Sequence, residues 1–255
     1  MTFQIAELED FVALAEQAAR MAGQALRARA SGWTEIAAVE GRDVKVAADS
    51  RAEEIILDVL SRESRLPVLS EERGWKGAAG DTAWIVDPLD GSANYVKGIP
   101  LSAVSIGVLD AGRPRAGVVY DFARDELFSG VVGKGASLDG AVMKVSDVSE
   151  PARAVLMTGL PARRAFDAAS LEALAADFGR WRKVRMIGSA ALALAYVAAG
   201  RADCYHEDDI MMWDVAAGLA LVMAAGGSVE ARLLSMQAPF TVTAHNGHLV
   251  YRPKS

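Results

Sequence analysis

Apolar residues recur every three or four positions in the first part of the chain, which is the spacing of one face of an α-helix. A stripe of this kind over residues 7–30 ends near Gly32 and predicts a long amphipathic helix. A second stripe over residues 50–62 predicts another helix, with Asp49 or Ser50 placed to cap its first turn. The chain is therefore expected to begin with two helices that each have one apolar face.

Shorter apolar runs follow, bounded by turn-forming residues, and these predict β-strands. The predicted strands cover residues 66–70, 83–87, 102–109, 115–121 and 126–132. The last two runs predict a hairpin whose tip is Ala123, Arg124 and Asp125. Two helices followed by closely spaced strands predict helices packed on a largely antiparallel sheet.

After Pro151 the pattern changes to an alternation of strands and helices, which predicts a more parallel sheet with crossover helices. The predicted strands are 154–160, 182–187 and 202–207, and the predicted helices are 167–178, 189–200 and 214–226. We expect an N-terminal half of residues 1–148 and a C-terminal half of residues 149–255, with the boundary near residues 146–152.

Composition narrows the possible partners. The 255-residue chain has a net charge of −6, with acidic and basic residues mixed and no basic block suited to nucleic acid or an anionic membrane. Its longest apolar runs are shorter than the roughly 20 residues that a membrane span needs. The single cysteine, Cys204, can form no intrachain disulfide, and the N-terminus lacks the pattern of a signal peptide. We expect a cytoplasmic protein that binds neither nucleic acid nor membrane.

The most informative stretch is WIVDPLDGSAN at residues 84–94, where an apolar strand runs into Asp87 and Asp90. Pro88 fixes one backbone torsion, and Gly91 permits a sharp turn or the close approach of a ligand. Two carboxylates gathered at one strand end are costly without a cation beside them. This stretch therefore predicts a metal site more strongly than a simple turn.

Three further acidic stretches are weaker when each is taken alone. Glu71 and Glu72 follow a short apolar strand and would suit a solvated loop. Asp214 heads the apolar run WDVAAG and would suit a helix cap, which contributes about 1 kcal/mol. Asp49 ends the stretch DVKVAAD before the second helix and would also suit a cap.

In combination these stretches resemble the inositol monophosphatase family, the lithium-sensitive, magnesium-dependent phosphomonoesterases. The family signature is an acidic pair after a short strand, then Asp-Pro-x-Asp-Gly-Thr-x-Asn, then Trp-Asp-x-Ala-Ala-Gly. Here the three occur in that order as SEE, DPLDGSAN and WDVAAG, and the resemblance runs from about residue 8 to about residue 230. It implies a layered α/β fold of the order α-β-α-β-α, with a mostly antiparallel N-terminal sheet and a more parallel C-terminal sheet, and a homodimer.

The resemblance also implies a set of Mg²⁺ ligands drawn from both halves of the chain. Glu71, Asp87 and the Leu89 carbonyl would hold one ion, and Asp87, Asp90 and Asp214 would hold a second. A third, weaker ion near Glu71 is common in the family. Oxygen atoms are the ligands that Mg²⁺ prefers, and two such ions can activate a water and stabilise the leaving oxygen of an in-line displacement.

For catalysis, the resemblance assigns activation of that water to Asp49, Ser92 and Glu71, with no covalent nucleophile. Ser92 stands where the family has threonine, so it keeps the hydroxyl but loses the methyl group that restrains χ1. The backbone N–H groups of Gly91 and Ser92 would cradle the phosphate if a helix starts there. Lys45 is a further departure from the family pattern. Contact with Asp43 or with the substrate is an alternative, and we expect its side chain simply to be exposed.

Substrate contacts are implied for residues of both halves: Asp90, Gly188, Ser189, Ala190, Glu207 and Asp214. Glu207 would suit a polyol by accepting hydrogen bonds from vicinal hydroxyls, but a surface carboxylate is an equal alternative at this position.

The predicted function is Mg²⁺-dependent hydrolysis of a small polyol or sugar phosphate monoester, with myo-inositol monophosphate as the default substrate. Another sugar phosphate, histidinol phosphate or a nucleotide 3′-phosphate is the first alternative. A non-catalytic binding protein of the same fold is the second alternative. The presence of all five acidic side chains and of the Ser92 hydroxyl argues against it.

Overall fold

The computed structural model of the chain describes residues 3–29, 31–40, 43–160, 167–231, 236–249 and 251. Within these residues the helices are α1 (Ile5–Ala28), α2 (Ala47–Glu63), α3 (Ser92–Lys97), α4 (Ala168–Phe178), α5 (Ala190–Ala198) and α6 (Met212–Ala224). The strands are β1 (Ile36–Glu40), β2 (Asp43–Val46), β3 (Val68–Ser70), β4 (Gly74–Lys76), β5 (Ala83–Asp90), β6 (Ala103–Asp110), β7 (Arg113–Asp121), β8 (Glu126–Val131), β9 (Gly135–Leu138), β10 (Ala141–Met143), β11 (Val155–Met157), β12 (Lys183–Arg185), β13 (Cys204–Ile210), β14 (Ser228–Ala231) and β15 (Phe240–His245).

The two long N-terminal helices pack side by side on one face of the larger sheet, where α1 contacts β7 and α2 contacts β5. The apolar stripe of α1 is buried there, and it includes Leu8, Ala15, Ala22 and Leu26. Both predicted helices are confirmed to within three residues at each end. Ala30, at the end of the first predicted helix, lies outside the described residues.

The larger sheet contains, in the described part of the chain, eight strands in the order β10-β9-β8-β7-β6-β5-β3-β4. Its neighbouring strands are antiparallel, except that β3 and β5 run parallel. The predicted hairpin of β7 and β8 is confirmed, with Asp121 paired to Glu126 at its tip. The sequence analysis missed β4, β9 and β10, because three or four residues carry too little alternation to be recognised.

The smaller sheet has the order β12-β11-β13-β15-β14 in the described residues. Strands β12, β11 and β13 are parallel, whereas β13, β15 and β14 are antiparallel. The expectation of a more parallel C-terminal sheet is therefore confirmed. The sequence analysis missed β14 and β15, and it also missed the separate antiparallel hairpin of β1 and β2.

Helices α5 and α6 lie between the two sheets and are almost entirely apolar. Helix α6 contacts β6 and β7 of the larger sheet and β14 and β15 of the smaller one. It lies so close to the larger sheet that a Cβ atom at Gly117 would stand only 2.7 Å from Ala217 Cα, and the glycine therefore permits this contact. The side chain of Asp214, in the first turn of α6, is positioned by this contact. None of the helices in the described residues is both long and apolar enough to cross a membrane.

The elements form five layers, which confirms the α-β-α-β-α order. Helices α1 and α2 cover the larger sheet, α5 and α6 fill the centre, and the smaller sheet is followed by α4, whose Phe178 packs against a cluster with Leu156 and Trp181. The larger sheet ends at Met143 and the smaller begins at Val155. One apolar cluster nevertheless contains residues of both sheets, so the division into residues 1–148 and 149–255 stays a prediction.

Replacing Gly117 with alanine should destabilise the protein by about 1–3 kcal/mol, because overpacking forces backbone shifts. The added methyl group would meet the backbone of Ala217 on α6. Urea unfolding would measure the loss. Gly80→Ala is the matched control, since a Cβ atom there meets nothing within 4 Å, and it should be neutral or slightly stabilising. Equal stability of the two variants would contradict the close contact between α6 and the sheet.

Candidate active site

Strand β5 carries both aspartates of the DPLD stretch, and a bulge places them on one face. Asp87 pairs with Ser105 and Asp90 pairs with Ala103, so three steps along β5 match two steps along β6. Side chains alternate between the faces of a sheet, so two residues three positions apart in a regular strand would point to opposite faces, and the bulge brings both carboxylates to the same face. Pro88 suits the irregular position between these pairs because it has no backbone N–H to leave unpaired.

The turn after β5 requires glycine at position 91. Gly91 has a φ of +86°, and a Cβ atom there would stand 2.8 Å from the carbonyl oxygen of Leu101 and 3.0 Å from that of Gly188. In α3, Asn94 donates its side-chain N–H groups to the carbonyl oxygens of Leu101 and Ile187, both at 2.8 Å. These contacts fasten the segment before α5 to the turn, a role for Asn94 that the sequence analysis did not assign.

Asp49 is a residue of the first turn of α2, where its Oδ2 accepts a hydrogen bond from the Val46 N–H at 2.5 Å. Its Oδ1 lies 2.8 Å from the Ser92 hydroxyl oxygen, which is also 2.9 Å from the Leu89 carbonyl oxygen. A hydroxyl has one proton, so Ser92 donates to one of these two acceptors at a time. Asp49 therefore accepts a backbone N–H at the start of α2 with one oxygen and contacts the Ser92 hydroxyl with the other.

The turn that follows β3 is held against α2 and β5. The Glu71 N–H donates to the Val86 carbonyl oxygen at 3.1 Å, next to Asp87. Arg73 brings its Nε within 2.7 Å of Glu53 Oε2, and its backbone N–H donates to Glu53 Oε1 at 3.2 Å. Because Glu53 lies fully buried in α2, this ion pair fixes the turn that carries Glu71.

Helix α2 supplies a hydrogen bond to Asp49, and the N-termini of two further helices supply hydrogen bonds to predicted metal ligands. In α6, Asp214 accepts the Met211 N–H at 3.0 Å. At the start of α5, Asp90 accepts the Ala191 N–H at 2.7 Å and the Ser189 hydroxyl at 2.5 Å. The positive end of a helix stabilises negative charge close to it, so these contacts offset part of the repulsion among the carboxylates.

These side chains line one cavity of about 370 Å³, a size that suits a small molecule. Most of the predicted site residues are brought together in its lining: Glu71, Asp87, Leu89, Asp90, Gly91, Ser92, Gly188, Ser189, Ala190, Glu207 and Asp214. Asp49 is connected to the lining through Ser92. The hydroxyl of Ser189 is already engaged with Asp90 and caps α5. The roles assigned to these residues stay predictions.

Burial raises the pKa of five carboxyl groups in or beside this cavity: Asp49, Glu71, Asp87, Asp90 and Asp214. Burial raises the pKa of Asp49 to about 7 and the pKa of Asp90 to about 6. For Glu71, burial and then the charge of Asp49 raise the pKa to about 8. Burial first, and then the charge of Glu71, also raises the pKa of Asp87 and of Asp214.

A hard divalent cation fits this donor set. The candidate ligands are carboxylate and carbonyl oxygens, which Mg²⁺ prefers, and the raised pKa values reflect negative charge that the protein leaves unbalanced. No group of three acidic, histidine or cysteine side chains is assembled for metal binding among the described residues. In the structure, Asp90 Oδ2 accepts hydrogen bonds from Ser189 and Ala191.

Another wall of the cavity is built around Glu207, which is half-buried and not on the outer surface. The Tyr205 hydroxyl donates to Glu207 Oε2 at 2.8 Å. Gly159 leaves room for the carboxylate, since a Cβ atom there would stand 2.5 Å from the same oxygen. Asp209 also lines this wall, with a φ of +61° that is uncommon outside glycine. Tyr205, Gly159 and Asp209 were not predicted as lining residues, because none of them belongs to a recognised motif.

Lys45 departs most clearly from its predicted position. Its side chain is 26% exposed and its Nζ lies 3.3 Å from Glu72 Oε1. It also lines the cavity. The expectation that Lys45 is simply exposed is therefore wrong. The cause is the unpredicted hairpin of β1 and β2, since β2 packs against α3 and carries Lys45 to the site.

Comparison with known proteins gives one consistent family. The sequence matches the profile of the inositol monophosphatase family over residues 7–251. The inositol-1-monophosphatase of Mesorhizobium japonicum is 42% identical over 186 residues, which cover 72% of this chain and 70% of that protein. The Nus factor SuhB of Escherichia coli K12 is 37% identical over 225 residues, which cover 85% of this chain and 83% of that protein.

A solved structure shares the fold over almost the whole chain. The inositol monophosphatase from Anabaena (Nostoc) sp. PCC 7120 superposes with a TM-score of 0.82 at 36% sequence identity. The superposition covers 95% of this chain and 92% of the other. The layered architecture described above is therefore that of a known fold.

Removal of divalent cations should make the stability of the protein fall as the pH rises. A carboxyl group with a raised pKa in the folded state favours folding below its unfolded pKa, and this contribution is lost as the pH rises through the folded pKa. For Asp90, Asp49 and Glu71 the folded pKa values are about 6, 7 and 8, against ordinary values of 3.8 to 4.5. The measurement is the thermal unfolding midpoint of metal-free protein between pH 5 and pH 8.

Added Mg²⁺ should raise this midpoint most at pH 8, where the carboxyl groups release their protons most readily. Asp90→Asn should show a shallower fall than the unchanged protein, whereas Asp58→Asn, at an exposed position of α2, should follow it. A Mg²⁺ effect of the same size at pH 5 and pH 8 would count against a carboxylate cation site.

Proposed function

The chain belongs to the inositol monophosphatase family, and we propose that it is a Mg²⁺-dependent phosphatase of a small polyol or sugar monophosphate. Inositol monophosphate is the default substrate, and the name of the Mesorhizobium japonicum relative supports this choice. The observation that carries the proposal is one cavity lined by Glu71, Asp87, Asp90 and Asp214, with the Asp49–Ser92 pair beside it.

The proposed cation site uses oxygen atoms from both halves of the chain. Glu71, Asp87 and the Leu89 carbonyl would hold one Mg²⁺, and Asp87, Asp90 and Asp214 would hold a second. A third ion, bound more weakly, would lie near Glu71. Bound Mg²⁺ would neutralise charge on the phosphate and make a water molecule more acidic at neutral pH. This supply of positive charge suits a cavity whose own lining is mainly acidic.

In the proposed reaction, water attacks phosphorus in line with the ester oxygen, and the bond between phosphorus and the ester oxygen breaks. The alcohol leaves after its oxygen takes up a proton from a solvent water. The proton that the water loses passes to Ser92 Oγ, as the Ser92 proton passes to Asp49 Oδ1 across the 2.8 Å contact. The Asp49 pKa of about 7 suits a general base that works near neutral pH. We propose that Glu71 helps to orient the attacking water and that the N–H groups of Gly91 and Ser92 hold a phosphate oxygen.

The alcohol part of the substrate is proposed to lie along the wall that contains Glu207. A carboxylate held in place by Tyr205 and Gly159 is suited to accept hydrogen bonds from neighbouring hydroxyl groups. Gly188 and Ala190 border the same cavity and are proposed to contact the alcohol through their backbone or small side chains. A different sugar phosphate, histidinol phosphate or a nucleotide 3′-phosphate is the alternative within the same chemistry.

A non-catalytic role is the second candidate, because the Escherichia coli relative bears the name Nus factor SuhB and not the name of a phosphatase. A binding role alone would not require four acidic side chains and a paired serine to line one cavity. The intact set of side chains therefore favours catalysis. A homodimer, a cytoplasmic location and inhibition by lithium belong to the main proposal and depend on family resemblance.

The unmodified protein should release phosphate from at least one ester only when Mg²⁺ is present. The panel would contain inositol 1-phosphate, sugar 1- and 6-phosphates, histidinol phosphate, 3′-phosphoadenosine 5′-phosphate and p-nitrophenyl phosphate. Asp87→Asn should lower kcat at least 100-fold, because losing a ligand charge weakens the proposed cation site; this is an order-of-magnitude expectation, about 3 kcal/mol.

Asp121→Asn is the control, since Asp121 is buried away from the cavity and paired with Arg124. It should lower stability and leave the Mg²⁺ requirement unchanged. Phosphate release by Asp87→Asn at the unmodified rate would remove Asp87 from the proposed cation site. No turnover on any ester, with Mg²⁺ still bound, would favour the non-catalytic role.

Ser92→Ala should slow turnover by roughly 10²–10⁴-fold, the usual effect of losing a proton-transfer group. Its affinity for Mg²⁺, measured by titration calorimetry, should change little, because no proposed ligand is removed. Ser92→Thr restores the hydroxyl with the family's methyl group and should recover most of the rate. Unchanged kinetics in Ser92→Ala would exclude Ser92 from the proton path.

A further inference from the structure

Lys45 brings positive charge into a cavity that is otherwise strongly acidic. Among the described lining residues, six carry carboxylates and one carries an ammonium group: Glu71, Asp87, Asp90, Glu207, Asp209 and Asp214, with Lys45 as the ammonium. The phosphate of a monoester is a dianion near neutral pH, so it needs positive charge wherever it is bound. The lining itself supplies that charge at Lys45.

The position of Lys45 is next to the proposed reaction centre. Strand β2, which carries Lys45, packs against α3, which begins at Ser92. The charge of Lys45 lowers the pKa of Asp49 and of Glu71, partly opposing the effect of burial. The ammonium group therefore lies close enough to both carboxylates for their electrostatic interaction to matter.

Lys45, a residue of the cavity lining, meets Glu72 in an ion contact. Lys45 Nζ lies 3.3 Å from Glu72 Oε1, yet that buried oxygen has no hydrogen-bond partner among the described residues. The pair is therefore an ion contact without good hydrogen-bond geometry. A lysine side chain has a flexible four-carbon stem and rotatable donors, and 26% of this side chain is exposed. A phosphate dianion carries more negative charge than the Glu72 carboxylate does.

We propose that Lys45 binds the phosphoryl group of the substrate, exchanging its contact with Glu72 for a phosphate oxygen when the ester enters the cavity. This inference rests on the proposed function, because it takes the substrate to be a phosphate ester. It concerns the binding of the phosphate and not the chemical step. A contact of equal strength in the ground state and in the transition state changes KM and leaves kcat alone. Lys45 is thereby a binding residue that the family motifs do not contain.

Affinity for inorganic phosphate is the direct test. Titration calorimetry at saturating Mg²⁺ would compare the unmodified protein with Lys45→Gln, Lys45→Arg and the control Lys97→Gln, which alters an exposed lysine of α3. Lys45→Gln should weaken phosphate binding about tenfold, the lower range for a hydrogen bond to a charged group. Lys45→Arg should recover part of the affinity, and Lys97→Gln should match the unmodified protein.

Glu72→Gln separates phosphate binding from a purely structural ion pair. If Lys45 exchanges between the two anions, removal of the Glu72 charge should tighten phosphate binding, opposite to the effect of Lys45→Gln. A structural ion pair would instead lower the thermal stability of both variants and leave their phosphate affinities alike. That result, or a lack of phosphate binding by the unmodified protein, overturns the inference.

Kinetic constants on the preferred ester complete the test. KM should rise in Lys45→Gln by the same factor as the phosphate dissociation constant, with kcat unchanged within about twofold. If the unmodified protein binds phosphate through Lys45 but hydrolyses no ester, the proposed function fails and the binding role stands. If it hydrolyses esters and Lys45→Gln keeps the same KM and phosphate affinity, the binding role fails and the phosphatase stands.

Discussion

The burial of several carboxylates at one point is the constraint on which the rest of this structure depends. Burial raises the pKa of Asp49, Glu71, Asp87, Asp90 and Asp214, so each group would gain from a cation or a proton. Repulsion from neighbouring carboxylates adds to this effect at Glu71, Asp87 and Asp214. The fold offsets part of this cost with backbone N–H groups at the starts of α2, α5 and α6. Because α2 covers one face of the larger sheet and α5 and α6 cover the other, the site exists only when both layers are docked on that sheet.

Much of this arrangement could be predicted from local sequence. The remainder could not be predicted, because it depends on contacts between segments that are distant in the chain. The apolar stripe of α1 has a helical period, and β5 begins with a short continuous apolar run, so both could be recognised directly. The DPLD stretch marked Asp87 and Asp90 as candidate ligands. The bulge that puts these two side chains on one face is a matter of pairing with β6, which no single segment encodes. Lys45 was misjudged for the same reason, since its position depends on packing between β2 and α3. For Asp49 the sequence offered either a cap or a site residue, and the side chain uses one oxygen for each contact.

Several candidate site residues also hold the fold together. Asp90 accepts hydrogen bonds from Ser189 and Ala191 across about a hundred residues of chain, and Asn94 links the turn after β5 to Ile187. A change at either position therefore alters the docking of α5 as well as the cavity. Lost activity in such a variant carries mechanistic meaning only when its stability has been measured too.

The central layer has a consequence for how the protein is made. The larger sheet is complete once Met143 has been synthesised, but its inner face is covered by α5 and α6, which end at Ala224. At the usual rate of translation, this interval lasts on the order of ten seconds. During that time a growing chain on the ribosome presents a broad apolar sheet, including Phe128 and the bare backbone at Gly107 and Gly117, to its surroundings. An exposed apolar sheet of this kind is prone to aggregation until α5 and α6 have been made and cover it.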